Sequence, residues 1–190
     1  MNLATLKVEC LRYHDSGEYL ANIAAVDARA EGWLDDCVSV PHAALVLDID
    51  ETSISNWEYA RKLDFGFDEA SFEAFLRNTK AEPIVPTRTL FEHARRLHMA
   101  TFFVTGRREI LRAVTEDDLR EAGYAAWDGL DLAPNDYHEK TLSIYKTAMR
   151  KRITEKGFHI VANVGDQESD LVGGYSDRTF KLPNPFYISR

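Results

Sequence analysis

Residues 44–56, ALVLDIDETSISN, run from an apolar stretch directly into Asp48, Asp50 and Glu51. A buried, ionised carboxylate is costly unless it is paired, hydrogen-bonded or bound to a cation, so this crowding requires a partner. Further along, ATFFVTG ends in Thr105-Gly106-Arg107, and HIVANVGD ends in Gly165-Asp166 with Asp170 four residues on. Acidic side chains plus a hydroxyl, with no His or Cys beside them, form an oxygen-only set suited to Mg²⁺ rather than zinc. The expected partner is that cation.

In such a site Asp48 is a candidate nucleophile, since a carboxylate attacking phosphorus divides hydrolysis into formation and breakdown of an aspartyl-phosphate. Asp50 projects to the same side, about 6 to 7 Å further along an extended chain, within reach of the leaving-group oxygen. That role needs a proton in the first step and a base in the second, hence a raised pKa and an acid-to-neutral optimum. Thr105 offers a hydroxyl, and the TGR turn, with Gly106, offers backbone N–H groups to phosphoryl oxygens. A cation must balance the transferring group. Periodicity does not choose between Lys140 and Lys146.

The elements that position these residues follow from hydrophobic spacing. Short apolar runs, AALVLDI, ATFFVTG, a weaker GLDLAP and HIVANVGD, read as buried parallel strands. Helical spacing lies between them, at 87–98, 108–122 and 141–156. The expected fold is α/β, a three-layer Rossmann-like parallel sheet with helices on both faces, whose ligands sit beyond the carboxyl ends of the strands. A helical lead-in occupies 1–40, with helices over 2–13 and 17–35 and Leu20, Ile23, Ala24 and Ala28 on one face.

Composition narrows the function further. The 190 residues, 45% hydrophobic, suffice for one core, and no linker divides them, so a single domain is expected. A formal charge of -8 leaves no footprint for a nucleic acid polymer. No apolar run reaches the length of a membrane span, and the start MNLATLKVECLRYHDSGEY has no signal-peptide h-region. Cys10 and Cys37 lack metal or redox spacing and read as reduced thiols, a single disulfide being the alternative.

Taken together, DIDET, FFVTGR, IYKTAMR and GDQESDL resemble the four ordered motifs of the haloacid dehalogenase-like phosphohydrolases. LDIDETSISNWEYA, NVGDQESDLVGG, KLPNPFY and, near the start, YHDSGEYLANIAAV are similar to its class B acid phosphatases, the group of bacterial secreted phosphatases and plant vegetative storage proteins. This resemblance implies a Mg²⁺-dependent phosphomonoesterase acting on small phosphate esters, with 5′-nucleotides among the candidates. It makes Asp48 the nucleophile and Asp50 the acid and base, with Thr105 and Lys146 holding the phosphoryl group. Asp48, the Asp50 carbonyl and Asp166 would hold the metal, and Asp170 would orient metal-bound water or Lys146. It makes residues 53–86 a small cap inserted after the first strand, and it implies secretion or a periplasmic location, with a cytoplasmic one left open.

Several of these residues also carry plainer readings. The cap aromatics Trp57, Tyr59, Phe65, Phe67 and Phe72 would more readily pack on one another than stack on a leaving group. Lys140 reads as a solvated lysine, and Arg107 divides evenly between phosphate contact and a structural ion pair. A phospho-accepting receiver domain would not place its acidic pair and accepting Asp on one strand followed by a cap. A storage protein on the same fold is the other rival, against which the full set of Asp48, Asp50, Thr105, Lys146, Asp166 and Asp170 speaks. The oligomeric state and the physiological ester are left open.

Overall fold

The computed structural model describes residues 2–188. In chain order the elements are α1 (Leu3–Asp15), α2 (Glu18–Asp36), β1 (Ala43–Leu47), β2 (Ile54–Ser55), α3 (Trp57–Lys62), α4 (Glu69–Asn78), β3 (Glu82–Pro83), α5 (Val85–Arg96) and β4 (Ala100–Arg108). A 3₁₀ turn (Glu109–Leu111) follows, then α6 (Arg112–Glu121), β5 (Gly129–Ala133), α7 (Leu142–Glu155), β6 (His159–Gly165), α8 (Glu168–Leu171) and β7 (Arg178–Lys181).

The four apolar runs, with β7 added at one edge, form one parallel sheet in the order β5-β4-β1-β6-β7, and β2 and β3 make a separate antiparallel pair. Both faces are covered, which is why β1 is apolar at every position. Its residues still divide by the two-residue repeat of the pleat. Leu45 and Leu47 join the core built with α2 and α5, whereas Ala44 and Val46 join the one containing Tyr145 and Ile153 of α7. Asp48 continues the second series, so its parity directs it to the α7 side, where Lys146 follows Tyr145. The expected α/β fold is therefore present.

Some expectations need correction. The buried stripe of α2 is Tyr19, Ile23, Val26, Ala30 and Leu34, while Leu20 is 44% exposed and Ala28 is exposed. The helix is turned so that Tyr19 lies edge-on to Phe186, 5.0 Å between centroids. The helix expected over 108–122 begins later, because β4 runs to Arg108 and the 3₁₀ turn intervenes. The weak run GLDLAP is an edge strand, half-buried over its first three residues, which accounts for its polar content. Strand β7 and the β2–β3 pair were not anticipated; each has too few residues to establish a period. Gly123 and Gly157, each one residue past a helix C-cap, take φ 90° and 93°, the left-handed turn that ends α6 and α7. Cys10 and Cys37 are free thiols.

One buried acid lies away from the sheet edge. Asp27 of α2 accepts a 2.9 Å hydrogen bond from Thr87 of α5, and its other oxygen has no partner among the described residues. Burial, aided by Glu31 and only partly offset by Thr87, raises its pKa from 3.8 to about 7. The folded chain thus keeps a proton that the unfolded chain loses above pH 3.8. Stability from this group is complete below that pH and is lost as pH rises toward about 7. At ~1.4 kcal/mol per pH unit the loss approaches about 4 kcal/mol. We expect Asp27→Asn to flatten this part of the stability profile in urea melts from pH 4 to pH 8; an unchanged slope would contradict the assignment.

Candidate functional site

The carboxyl end of the sheet delivers the acidic residues to one place. The Asp48 N–H donates to the Val164 carbonyl at 3.0 Å, which ties the end of β1 to β6. The chain then reverses: Ser53 and Ile54 both donate backbone N–H groups to the Ile49 carbonyl, and Glu51 adopts φ 56°. Gly165 ends β6 without a side chain, and a Cβ there would collide with the Asp170 side chain. That close approach lets α8 bring Asp170 back beneath the strand ends, its carboxylate accepting from the Gln167 N–H at 2.8 Å.

Lys146, on the first half of α7, is buried between two acids, with Nζ 2.6 Å from Asp48 Oδ1 and 2.5 Å from Asp170 Oδ1. Burial opposes its charge, but Asp170 and Asp48 outweigh burial and raise its pKa. Lys140 is exposed. Asp166 accepts from the Thr52 hydroxyl at 3.0 Å, the Gln167 amide at 2.5 Å and the Asn184 amide at 2.7 Å. One carboxylate oxygen each from Asp48, Asp166 and Asp170 lies within 4.8 Å of the others. Burial first, then the Asp170 charge, pushes both Asp48 and Asp166 up, with Lys146 pulling the other way.

Three buried carboxylates facing one ammonium leave an excess of negative charge on an all-oxygen donor set. That chemistry fits a divalent, oxygen-preferring cation. The group includes Asp170, which the resemblance assigns to orienting water or Lys146, and it does not include the Asp50 carboxylate.

Asp50 is directed elsewhere. The Arg107 guanidinium donates to it through Nη2 at 2.8 Å and Nε at 3.1 Å, and the Asn56 amide adds a bond of 2.9 Å. Arg107 also donates to Asp118 at 2.7 Å, and its side chain is only 1% exposed. Of its two sequence readings, the ion pair is the one this geometry favours. Thr105 is fully buried, and its Oγ1 accepts the Arg107 N–H at 3.1 Å.

A cavity of about 480 Å³ opens over Asp48, Asp50, Lys146 and Asp166, with Gly106 and Arg107 also in its wall. Tyr59, Phe65, Phe67 and Phe72 line its far side. Trp57 packs instead in the core, stacked on His14 at 3.7 Å and 4.9 Å from Phe186. The aromatics after β1 thus divide between packing and lining.

Thr52, Asn56, Gln167 and Asn184 were not singled out as site residues from the sequence. Asn184 had a usable signal, a lone amide between Pro183 and Pro185 in an otherwise apolar stretch. Glu51, noted as one of three crowded acids, turns away from the metal group and bonds the Tyr187 hydroxyl and the Asn56 N–H. Burial, then the Asp50 charge, raises its pKa to about 8.

Comparison with known proteins agrees with this architecture. Acid phosphatase 1 of Solanum lycopersicum is 36% identical over 186 residues, covering 95% of this chain and 68% of its own length. Stem 28 kDa glycoprotein of Glycine max is 33% identical over 96% of this chain and 76% of its own. Vegetative storage protein 1 of Arabidopsis thaliana is 33% identical over 75% of the chain and 54% of its own. Among solved structures, the class C acid phosphatase of Bacillus anthracis superposes with a TM-score of 0.78 at 18% identity, covering 94% of this chain and 83% of that one. The sequence profile of the HAD superfamily, subfamily IIIB (acid phosphatase), matches residues 2–190, and the chain belongs to that family.

Proposed function

We propose that this protein hydrolyses phosphate monoesters of small molecules through a covalent intermediate on Asp48, with Mg²⁺ as its cation. The observation that carries this reading is Lys146, buried between Asp48 and Asp170 at the floor of the cavity. The ammonium holds Asp48 Oδ1 and leaves Oδ2 with no hydrogen bond among the described residues. Oδ2 attacks phosphorus as the ester P–O bond breaks, and the departing oxygen takes a proton from Asp50. Water then attacks the aspartyl-phosphate, Asp50 accepts its proton, and phosphate and free Asp48 are regenerated.

The residues around that centre orient and hold. Arg107 and Asn56 fix the Asp50 carboxylate. The Thr105 hydroxyl, the Gly106 backbone and Lys146 bind the phosphoryl oxygens. Asp48, the Asp50 carbonyl and Asp166 would hold Mg²⁺, whose charge would lower the repulsion between nucleophile and phosphate. Asp170 keeps Lys146 in place through its 2.5 Å contact. Residues 53–86 act as a small cap on one domain spanning the chain, and their rings shape the leaving-group side.

No described helix is long and apolar enough to cross a membrane. We infer that the protein works outside the cytoplasm, in keeping with relatives named as glycoproteins. The name vegetative storage protein among the relatives supports a second reading, a storage role. The retained acid and lysine set speaks against it.

The test is phosphate release from p-nitrophenyl phosphate and 5′-nucleotides, from about pH 4.5 to about pH 8, with Mg²⁺ or with EDTA. We expect turnover that chelation abolishes and Mg²⁺ restores. Turnover untouched by exhaustive chelation would remove the metal from the mechanism. No turnover with any ester would leave the storage reading.

A further inference from the structure

The leaving-group side of the cavity combines two features that the hydrolytic chemistry does not use. The first is a wall of rings. Tyr59, Phe67 and Phe72 are in mutual contact, with centroids 5.0 to 6.3 Å apart, and all three line the cavity. The Tyr59 hydroxyl is already engaged, donating to the Asp68 carbonyl at 2.9 Å and accepting the Asp68 N–H at 3.1 Å. What Tyr59 has left to offer a ligand is its ring.

The second feature is uncompensated negative charge. Glu69, Phe72 and Glu73 fall on one face of α4 by the three- and four-residue spacing of the helix, and all three border the cavity, as does Glu139 from the other side. Glu73 and Glu139 have no ion-pair partner among the described residues. Arg108, the rim cation, faces Glu69 at 4.0 Å, donates to the Pro134 carbonyl at 3.2 Å and sits over the Tyr137 ring at 5.8 Å, so it balances Glu69 and leaves the charges of Glu73 and Glu139 unpaired.

Aromatic rings beside unpaired carboxylates make a receptor for an organic cation, which the ring quadrupoles and the acids both attract. We propose that this subsite selects phosphate monoesters whose alcohol carries an ammonium group, the phosphorylated amino alcohols. The proposal rests on the phosphatase reading above and names the substrate class of that same site. The phosphate end meets Lys146 and the metal group, and the ammonium end meets Phe72 and Glu73. Alcohols bearing additional phosphates are disfavoured by the same carboxylates. Hydrolysis consumes one water and yields the amino alcohol and inorganic phosphate.

Phosphocholine and 3,3-dimethylbutyl phosphate test this directly, since they share a shape and differ in a charged nitrogen against a neutral carbon. We expect kcat/KM to favour phosphocholine on the order of tenfold, as about 1.4 kcal/mol of attraction supplies. Glu73→Gln should lower that ratio several-fold, chiefly through KM, and Glu73→Gln with Glu139→Gln should bring it near unity. An equal or reversed preference in the wild type, or a ratio that neither substitution moves, overturns the proposal while p-nitrophenyl phosphate turnover leaves the phosphatase reading standing. Failure to hydrolyse any of the three esters overturns that reading, and this proposal with it.

Discussion

Asp48→Asn should lower phosphate release by roughly four orders of magnitude or more, the scale on which removal of a nucleophile acts, and should leave the fold intact. The amide matches the carboxylate in size and can still accept from Lys146, but it is a poor nucleophile toward phosphorus. The accompanying change in stability is the more discriminating readout. Burial and the Asp170 charge both disfavour an ionised Asp48, and Lys146 keeps its second partner in Asp170. A neutral side chain at this position relieves repulsion with Asp170 and Asp166, so Tm should hold or rise while activity disappears. Circular dichroism, thermal melts and a phosphate-release assay on one preparation check both halves. A variant retaining a tenth of wild-type turnover, well above the residual expected, would exclude Asp48 as nucleophile.

The second large effect concerns Arg107. Its guanidinium bridges Asp50 and Asp118 with hardly any exposure to solvent, and it also reaches the Thr115 hydroxyl at 3.4 Å. Burial opposes its charge, but Asp50 and then Asp118 more than compensate and raise its pKa. Arg107→Met fills similar space yet strands two carboxylates, which should cost about 3–5 kcal/mol of unfolding free energy. Adding Asp118→Asn to Arg107→Met should recover part of that loss, because one of the stranded charges is gone. Turnover should fall as well, since Asp50 loses the group that orients it. Urea unfolding of the three proteins measures the stability terms. A loss below about 1 kcal/mol in Arg107→Met would place the pair among surface ion pairs in energy and contradict the burial argument.

The two predictions draw on different levels of information. That Asp48, Thr105 and Asp166 stand at one edge was legible in the sequence, because parallel strands buried on both faces read as apolar runs and the residue ending each run must lie at the carboxyl edge. The pleat also determined that Asp48 shares a side with Ala44 and Val46. Gly123 and Gly157 follow the ends of α6 and α7 by a similarly local rule, since glycine adopts the positive φ of a helix end without the steric cost that a Cβ brings.

Pairings between distant side chains were settled only by tertiary structure. The residues alone left Lys140 and Lys146 open; packing of α7 against β4 and β6 buries Lys146, while Lys140 precedes the helix and stays exposed. Arg107 lies 57 positions from Asp50 and 11 from Asp118, and no local rule joins them. Asn184 reaches Asp166 only because the segment after β7 returns across the edge of the sheet. The division of the aromatics into the core ring Trp57 and the lining rings Tyr59, Phe67 and Phe72 has the same origin. Hydrophobic period and strand ends depend on neighbours along the chain, so the sequence carries them. The partner of a buried charge depends on which distant elements close over it, and that is decided when the layers pack.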